Sequence, residues 1–188
     1  MKKTLFLAVA ALVGASLHAQ SSYFFQGKLS IASAQGDLLS LTQKQQGHAF
    51  EGGIDIKMAQ PDLNLYVHAG HLVVRRNDVL GANNADAKNT WVGVDLKYPV
   101  TEKIHLYTGP TLNTWDIVTK RTGGLPDTAW HLGWRLGMTY QLTDRWGIDA
   151  NYAASEYARV AIKRADGSTE RMWRVNPAWF TVGATYKF

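Results

Sequence analysis

Charged side chains fall on one register of the period-two stretches of this 188-residue chain. They are Lys28; Glu51, Asp55 and Lys57; Asp95 and Lys97; Arg135; Asp149; and Lys187. Carboxylates held away from water can serve as general acids and bases. Opposite charges that face one another instead neutralise and lock the space between them. Five of the six histidines, His48, His68, His71, His105 and His131, add metal-binding and proton-transfer options. A zinc site needs convergent ligands, and His68 and His71, three apart in a strand, fall on opposite faces. Covalent catalysis needs a Ser or Thr beside a His that a carboxylate orients. The triplets that begin at these histidines are His48-Ala-Phe, His68-Ala-Gly, His71-Leu-Val, His105-Leu-Tyr and His131-Leu-Gly, none with a Ser or Thr. Ser155-Glu156 offers a serine without an evident base. No catalytic residue, metal or cofactor is expected, and the charges read as a paired interior network with Arg135 meeting Glu51 or Asp95.

Elements that place these charges on one side must alternate with period two, and eight segments do. The first is Tyr23 to Ala32, with Phe25, Leu29 and Ile31 on one face and Gln26 and Lys28 on the other. The second is His48 to Met58 and the third Leu63 to Val74, where Leu72 and Val74 blur the pattern. Thr90 to Tyr98 is clean, with Val92, Val94, Leu96 and Tyr98 opposite Trp91, Gly93, Asp95 and Lys97. The fifth, Ile104 to Trp115, contains Pro110, which cannot donate to a ladder and implies a bulge. Ala129 to Gln141, a segment from Trp146, and Ala178 to Phe188 complete the set. Each has about the length a tilted strand needs to cross a bilayer.

Connections alternate. Gln60-Pro61-Asp62, Pro99 to Lys103 and Thr143-Asp144-Arg145 are short; residues 33–47, 75–89, 116–128 and 159–172 are long and polar. The last long one contains Asp166-Gly167, a hairpin signal that allows two strand extensions joined there. Aromatic residues Phe25, Tyr98, Tyr140, Trp146, Tyr186 and Phe188 all fall on the apolar face near the short turns, as an interfacial girdle would. Trp115, Trp130, Tyr157, Trp173 and Phe180 form a less regular band towards the long loops.

Lys2-Lys3, the apolar run Leu5 to Leu17 and Ala19 have the form of a secretory signal peptide. Cleavage there leaves residues 20–188 as one domain, with 18 bases against 15 acids. Zero cysteines exclude a disulfide framework. After cleavage no apolar run is long enough for a membrane helix, so strands are the remaining way to satisfy the backbone in lipid.

The terminal stripe Phe180, Val182, Ala184, Tyr186 and Phe188 resembles the assembly signal of bacterial outer-membrane β-barrels. With Leu142-Thr143-Asp144-Arg145-Trp146-Gly147 as a short turn, the chain resembles the small eight-stranded barrels of the OmpX, Ail, opacity-protein and OmpA membrane-domain type. The resemblance implies an all-β, eight-stranded antiparallel up-and-down transmembrane barrel in the outer membrane. Its implied function is envelope structure and surface interaction, by adhesion or host-factor binding. The His-x-Ser pair of the lipid A deacylases is missing, so a lipid A modifying enzyme is the lesser alternative, beside a narrow channel for small solutes. Implied partners are outer-membrane lipid, the barrel assembly machinery and a host or surface ligand of a monomeric barrel. Nucleic acid is not expected. Lipopolysaccharide phosphates would meet Arg75, Arg76, Lys120, Arg121, Arg159, Lys163, Arg164, Arg171 and Arg174.

Overall fold

The computed structural model describes residues 21–36, 45–58, 63–75, 85–119, 127–156, 158–163 and 168–188. Nine strand segments follow one another: β1 Ser21–Gly36, β2 Gln45–Lys57, β3 Asn64–Arg75, β4 Ala85–Pro99, β5 Ile104–Thr119, β6 Asp127–Gln141, β7 Trp146–Ser155, β8 Ala158–Lys163 and β9 Thr169–Lys187. Each pairs antiparallel with its neighbour in sequence up to β7. β7 pairs with the lower half of β9 and β8 with its upper half. The two are therefore one wall strand, interrupted between Ser155 and Ala158. Pairing of β1 with β9 closes the ring, giving an eight-stranded barrel. The expected signal peptide lies outside the described residues.

The strands outrun their expected limits at the loop ends. β4 begins at Ala85 rather than Thr90, and β9 at Thr169 rather than Ala178. Ladder pairing continues beyond the apolar wall, where lipid no longer forces it but the register still permits it. Asp166-Gly167 lies outside the described residues, and β8 and β9 pair on either side of it as strand extensions.

Two turns at the other end are built alike. In Val100-Thr101-Glu102-Lys103-Ile104, the amides of Val100 and Thr101 donate to the Ile104 carbonyl, and Thr101 Oγ1 accepts from the amides of Lys103 and Ile104. In Leu142-Thr143-Asp144-Arg145-Trp146, the same bonds join Leu142 and Thr143 to Trp146, and Thr143 Oγ1 accepts from Arg145 and Trp146. A threonine at that position turns the chain by offering its hydroxyl to the following amides.

Pro110 is accommodated without the expected bulge. Pairing of β4 with β5 stops at Gly93↔Thr111 and resumes at Leu96↔Thr108 in unchanged register. The missing donor leaves a gap in the ladder, and the neighbouring Gly109 lets the strands stay close: a Cβ there would lie 2.1 Å from the Val94 carbonyl oxygen.

Outward residues are apolar and exposed, among them Phe25, Val92, Leu96, Tyr98, Leu132, Trp134, Leu136, Ile148, Phe180 and Val182. Inward residues are buried, and small inward residues make room for large ones. A Cβ on Gly70 would strike Trp91 at 2.3 Å, and one on Gly137 would strike Tyr107 at 2.2 Å.

Candidate functional site

Inward positions divide by depth. At mid-depth, Arg135 on β6 reaches across the bore. Its Nη1 donates to Glu51 Oε2 on the opposite strand β2, and its Nε donates to Asp95 Oδ2 on β4 at 3.0 Å, reinforced by Nη2. The expected alternative partners are thus both engaged. Tyr107 and Tyr66 present their rings to the guanidinium, with centroids 4.9 and 5.5 Å from Arg135 Cζ, a cation–π arrangement in a water-poor space.

Asp149 on β7 collects four groups. Tyr107 OH donates to both carboxylate oxygens at 2.9 Å, Thr139 Oγ1 donates at 3.0 Å and Asn151 Nδ2 at 3.2 Å. Lys28 Nζ lies 2.7 Å from Asp149 Oδ1 and 3.6 Å from Glu51 Oε2; the closer contact is an ion pair without hydrogen-bond alignment. His68 stands between carboxylates, Nε2 at 3.4 Å from Asp95 and Nδ1 at 3.9 Å from Glu51. Gln26 Nε2 donates to Tyr66 OH at 2.6 Å. Closer to the short turns, Lys97 Nζ donates to Asp55 Oδ2 at 2.8 Å, with Lys187 Nζ at 4.0 Å. Lys57 is exposed at that rim rather than inside.

Above this network the interior changes character. Trp91, Trp115 and Trp179 lie within a buried apolar cluster with Ala49, Leu72, Val74 and Ala153. The ring centroids of Trp91 and Trp179 are 6.2 Å apart, and those of Trp115 and Trp179 5.4 Å. Trp115 Nε1 donates to Ser155 Oγ at 3.0 Å. Trp115 therefore belongs to the core and not to the outer aromatic band, because its odd number matches the inward register of β5. Leu72 and Val74, which blurred the third segment, are inward apolar residues of this same cluster.

On the outside, the terminal stripe stands as expected. Trp146, Tyr186 and Phe188 make successive edge-to-face contacts at 4.9 and 5.0 Å, the arrangement aromatic quadrupoles prefer. Phe25, Tyr98, Tyr140 and Trp146 are exposed on the same belt. Phe180 and Trp130 are exposed in the upper band; Tyr157 lies outside the described residues, and the side chain of Trp173 is not among those described. His68 faces inward and His71 outward, where its Nδ1 is 2.9 Å from Thr90 Oγ1.

A wall that is apolar outside, charged and paired inside, and closed by β1 against β9 can rest only in a bilayer. Residues 6–188 match the outer membrane protein beta-barrel domain. The chain belongs to that family. This outer-membrane β-barrel is similar in structure to neisserial surface protein A, NspA, with a TM-score of 0.62, 15% identity, and coverage of 90% of this chain and 99% of that one. It is also similar to Ail, the attachment invasion locus protein of Yersinia pestis (0.52, 16%, 90% and 99%), and to OprG from Pseudomonas aeruginosa (0.53, 14%, 90% and 97%). At such identities the likeness carries the fold alone. No curated protein matches in sequence.

The basic residues expected at the outer rim divide in two. Arg75, Arg159, Lys163, Arg171 and Arg174 are on the outer ends of β3, β8 and β9; Arg76, Lys120, Arg121 and Arg164 lie outside the described residues. Sequence reading missed Tyr66, Tyr107, Gln26 and His68 as members of the central network. Gln26 shares inward parity with Lys28 two residues away, which was the available signal; within β3 and β5 no Asp, Glu, Lys or Arg shares the inward parity of Tyr66, His68 or Tyr107.

Proposed function

We propose that this outer-membrane barrel serves envelope structure and surface interaction, presenting its long outer hairpins to a surface or host ligand while its interior stays plugged. One observation supports the reading above the others: Arg135 on β6 commits its guanidinium to Glu51 on β2 and Asp95 on β4, so the central charges are engaged with each other. Ail, similar in fold, is described as an attachment invasion locus protein and has been solved with the heparin analogue sucrose octasulfate. That supports surface contact as a role for this architecture.

Replacing residues 37–44, 76–84, 120–126 and 164–167 one loop at a time with short Gly-Ser segments tests it. The expected result is loss of cell adhesion or serum survival for at least one replacement, with heat-dependent gel mobility intact. Three outcomes would overturn the reading: four silent replacements, discrete conductance of the purified barrel in planar bilayers, or a mass change in lipid A from a deletion strain.

A further inference from the structure

Charge is not balanced evenly along the bore. In the central network Arg135 and Lys28 stand among Glu51, Asp95 and Asp149, two permanent cations to three carboxylates. At the short-turn end the order is reversed. There Lys97 on β4, His105 on β5 and Lys187 on β9 take the inward register, and Asp55 on β2 is the carboxylate that meets them. Asp55 accepts a hydrogen bond from Lys97 Nζ at 2.8 Å, while Lys187 Nζ stays 4.0 Å away and makes no hydrogen bond among the described residues. His105 is half-buried, within electrostatic reach of Lys97, Lys187 and Asp55, and its ring has no hydrogen-bond partner among those residues either. Lys57 stands exposed at the same rim.

The surplus of donors cannot be met from deeper inside. Phe24 stacks on Tyr66 with centroids 4.3 Å apart, and Tyr66 lies 5.6 Å from Tyr107, an aromatic layer drawn from β1, β3 and β5. The Tyr66 ring is the contact that the two charge groups share, 5.3 Å from Lys97 Nζ and 5.5 Å from Arg135 Cζ. Beyond it, Glu51 and Asp95 are committed to Arg135, and Asp149 to Tyr107 and Lys28. Water does reach the mouth, where the Lys187 side chain is 25% exposed. Short turns of an outer-membrane barrel face the periplasm, and an inward register faces the bore rather than lipid. An ammonium beside an imidazole, both without partners, therefore offers N–H donors to a solute from that side. Small oxyanions bind to such donors through charge-assisted hydrogen bonds, with lysine as a point charge.

We propose that the periplasmic mouth of the bore is a binding site for a small oxyanion of the phosphate class, held by Lys187 and His105 with Lys97 behind them. Asp55 sets its strength, because it occupies one ammonium and repels the anion. The site does not depend on any adhesive role of the outer loops.

The test uses the full barrel refolded in detergent, with each variant checked for heat-dependent mobility. Inorganic phosphate is the probe, titrated by calorimetry. Wild type is expected to bind it, and K187Q/H105Q to bind it about tenfold more weakly or worse, the scale of one charge-assisted hydrogen bond. K187Q and H105Q alone each lose less. D55N is expected to bind about fivefold tighter, because the repelling carboxylate is gone and Lys97 is released; a merely structural Asp55 would not move affinity in that direction. K88Q, at the far end of β4, binds as wild type. No binding by wild type, or equal affinity of wild type and K187Q/H105Q, overturns the site. Weaker binding by folded D55N overturns the arrangement in which Asp55 opposes the ligand. Chloride that binds as tightly as phosphate, with the same dependence on Lys187 and His105, overturns the oxyanion as the occupant.

Discussion

The two halves of the barrel interior are equally buried and differently held. Around Arg135, every partner must be present: guanidinium, two carboxylates and two tyrosine rings from β2, β3, β4, β5 and β6. Around Trp179, contacts are made by ring faces and edges that no single atom controls. A buried charge network fails when one member is lost, because the survivors keep their desolvation cost. An aromatic cluster loses area and dispersion in proportion to what is removed. Burial alone therefore does not predict tolerance; the kind of interaction does.

The largest expected effect is at the network. Arg135→Met should lower stability by about 3–5 kcal/mol, the cost of leaving buried carboxylates without their cation. It is read as the guanidinium midpoint of the heat-modifiable folded form. The triple change E51Q/D95N/R135M should recover much of that loss, since no orphaned charge remains beyond the Lys28–Asp149 pair. A triple variant weaker than R135M would break the comparison at its root.

Next is Trp179→Ala, expected to cost about 3 kcal/mol in the same assay, with Trp179→Phe costing clearly less. If W179A exceeded R135M, the upper half would be the less tolerant one. Tyr107→Phe sharpens the boundary between the halves: the ring stays over Arg135, and only the hydrogen bonds to Asp149 are lost. A loss of about 1.5–3 kcal/mol is expected, because the acceptor is ionised. Smallest is Thr143→Ala, which removes one hydroxyl from a solvent-exposed turn and should cost about 1 kcal/mol or less. Thr101→Ala should match it, since the two turns share their bonds.

Parity made much of the interior legible. Lys28, Glu51, Asp55, Asp95, Lys97, Arg135 and Asp149 could all be placed inside because a strand has only two faces. Depth was harder. Which carboxylate Arg135 meets depends on the stagger between strands, and that is set by turn geometry and closure rather than by alternation. Trp115 groups on sequence with the aromatic band towards the long loops, although its parity with Tyr107 and Asn113 places it inside. Outer strand ends were cut short because polar residues on both faces hide the period once the strand leaves the lipid. The break between Ser155 and Ala158 gave no signal that alternation could register, since a bulge is visible only in the partner's numbering.

The β1–β9 seam joins residues very far apart in sequence: Phe24 pairs with Lys187, and the Phe188 amide donates to the Tyr23 carbonyl at 3.0 Å. Every other ladder in the wall can form between neighbours as the chain lengthens. This one cannot form until residues at both ends are in place, and it bears the greatest loop-closure entropy. An unfinished or clipped chain consequently displays a lone strand edge on each side instead of a closed wall. The seam thus makes closure of the wall depend on β1 and β9 together, so that neither strand can lose its outer edge without the other.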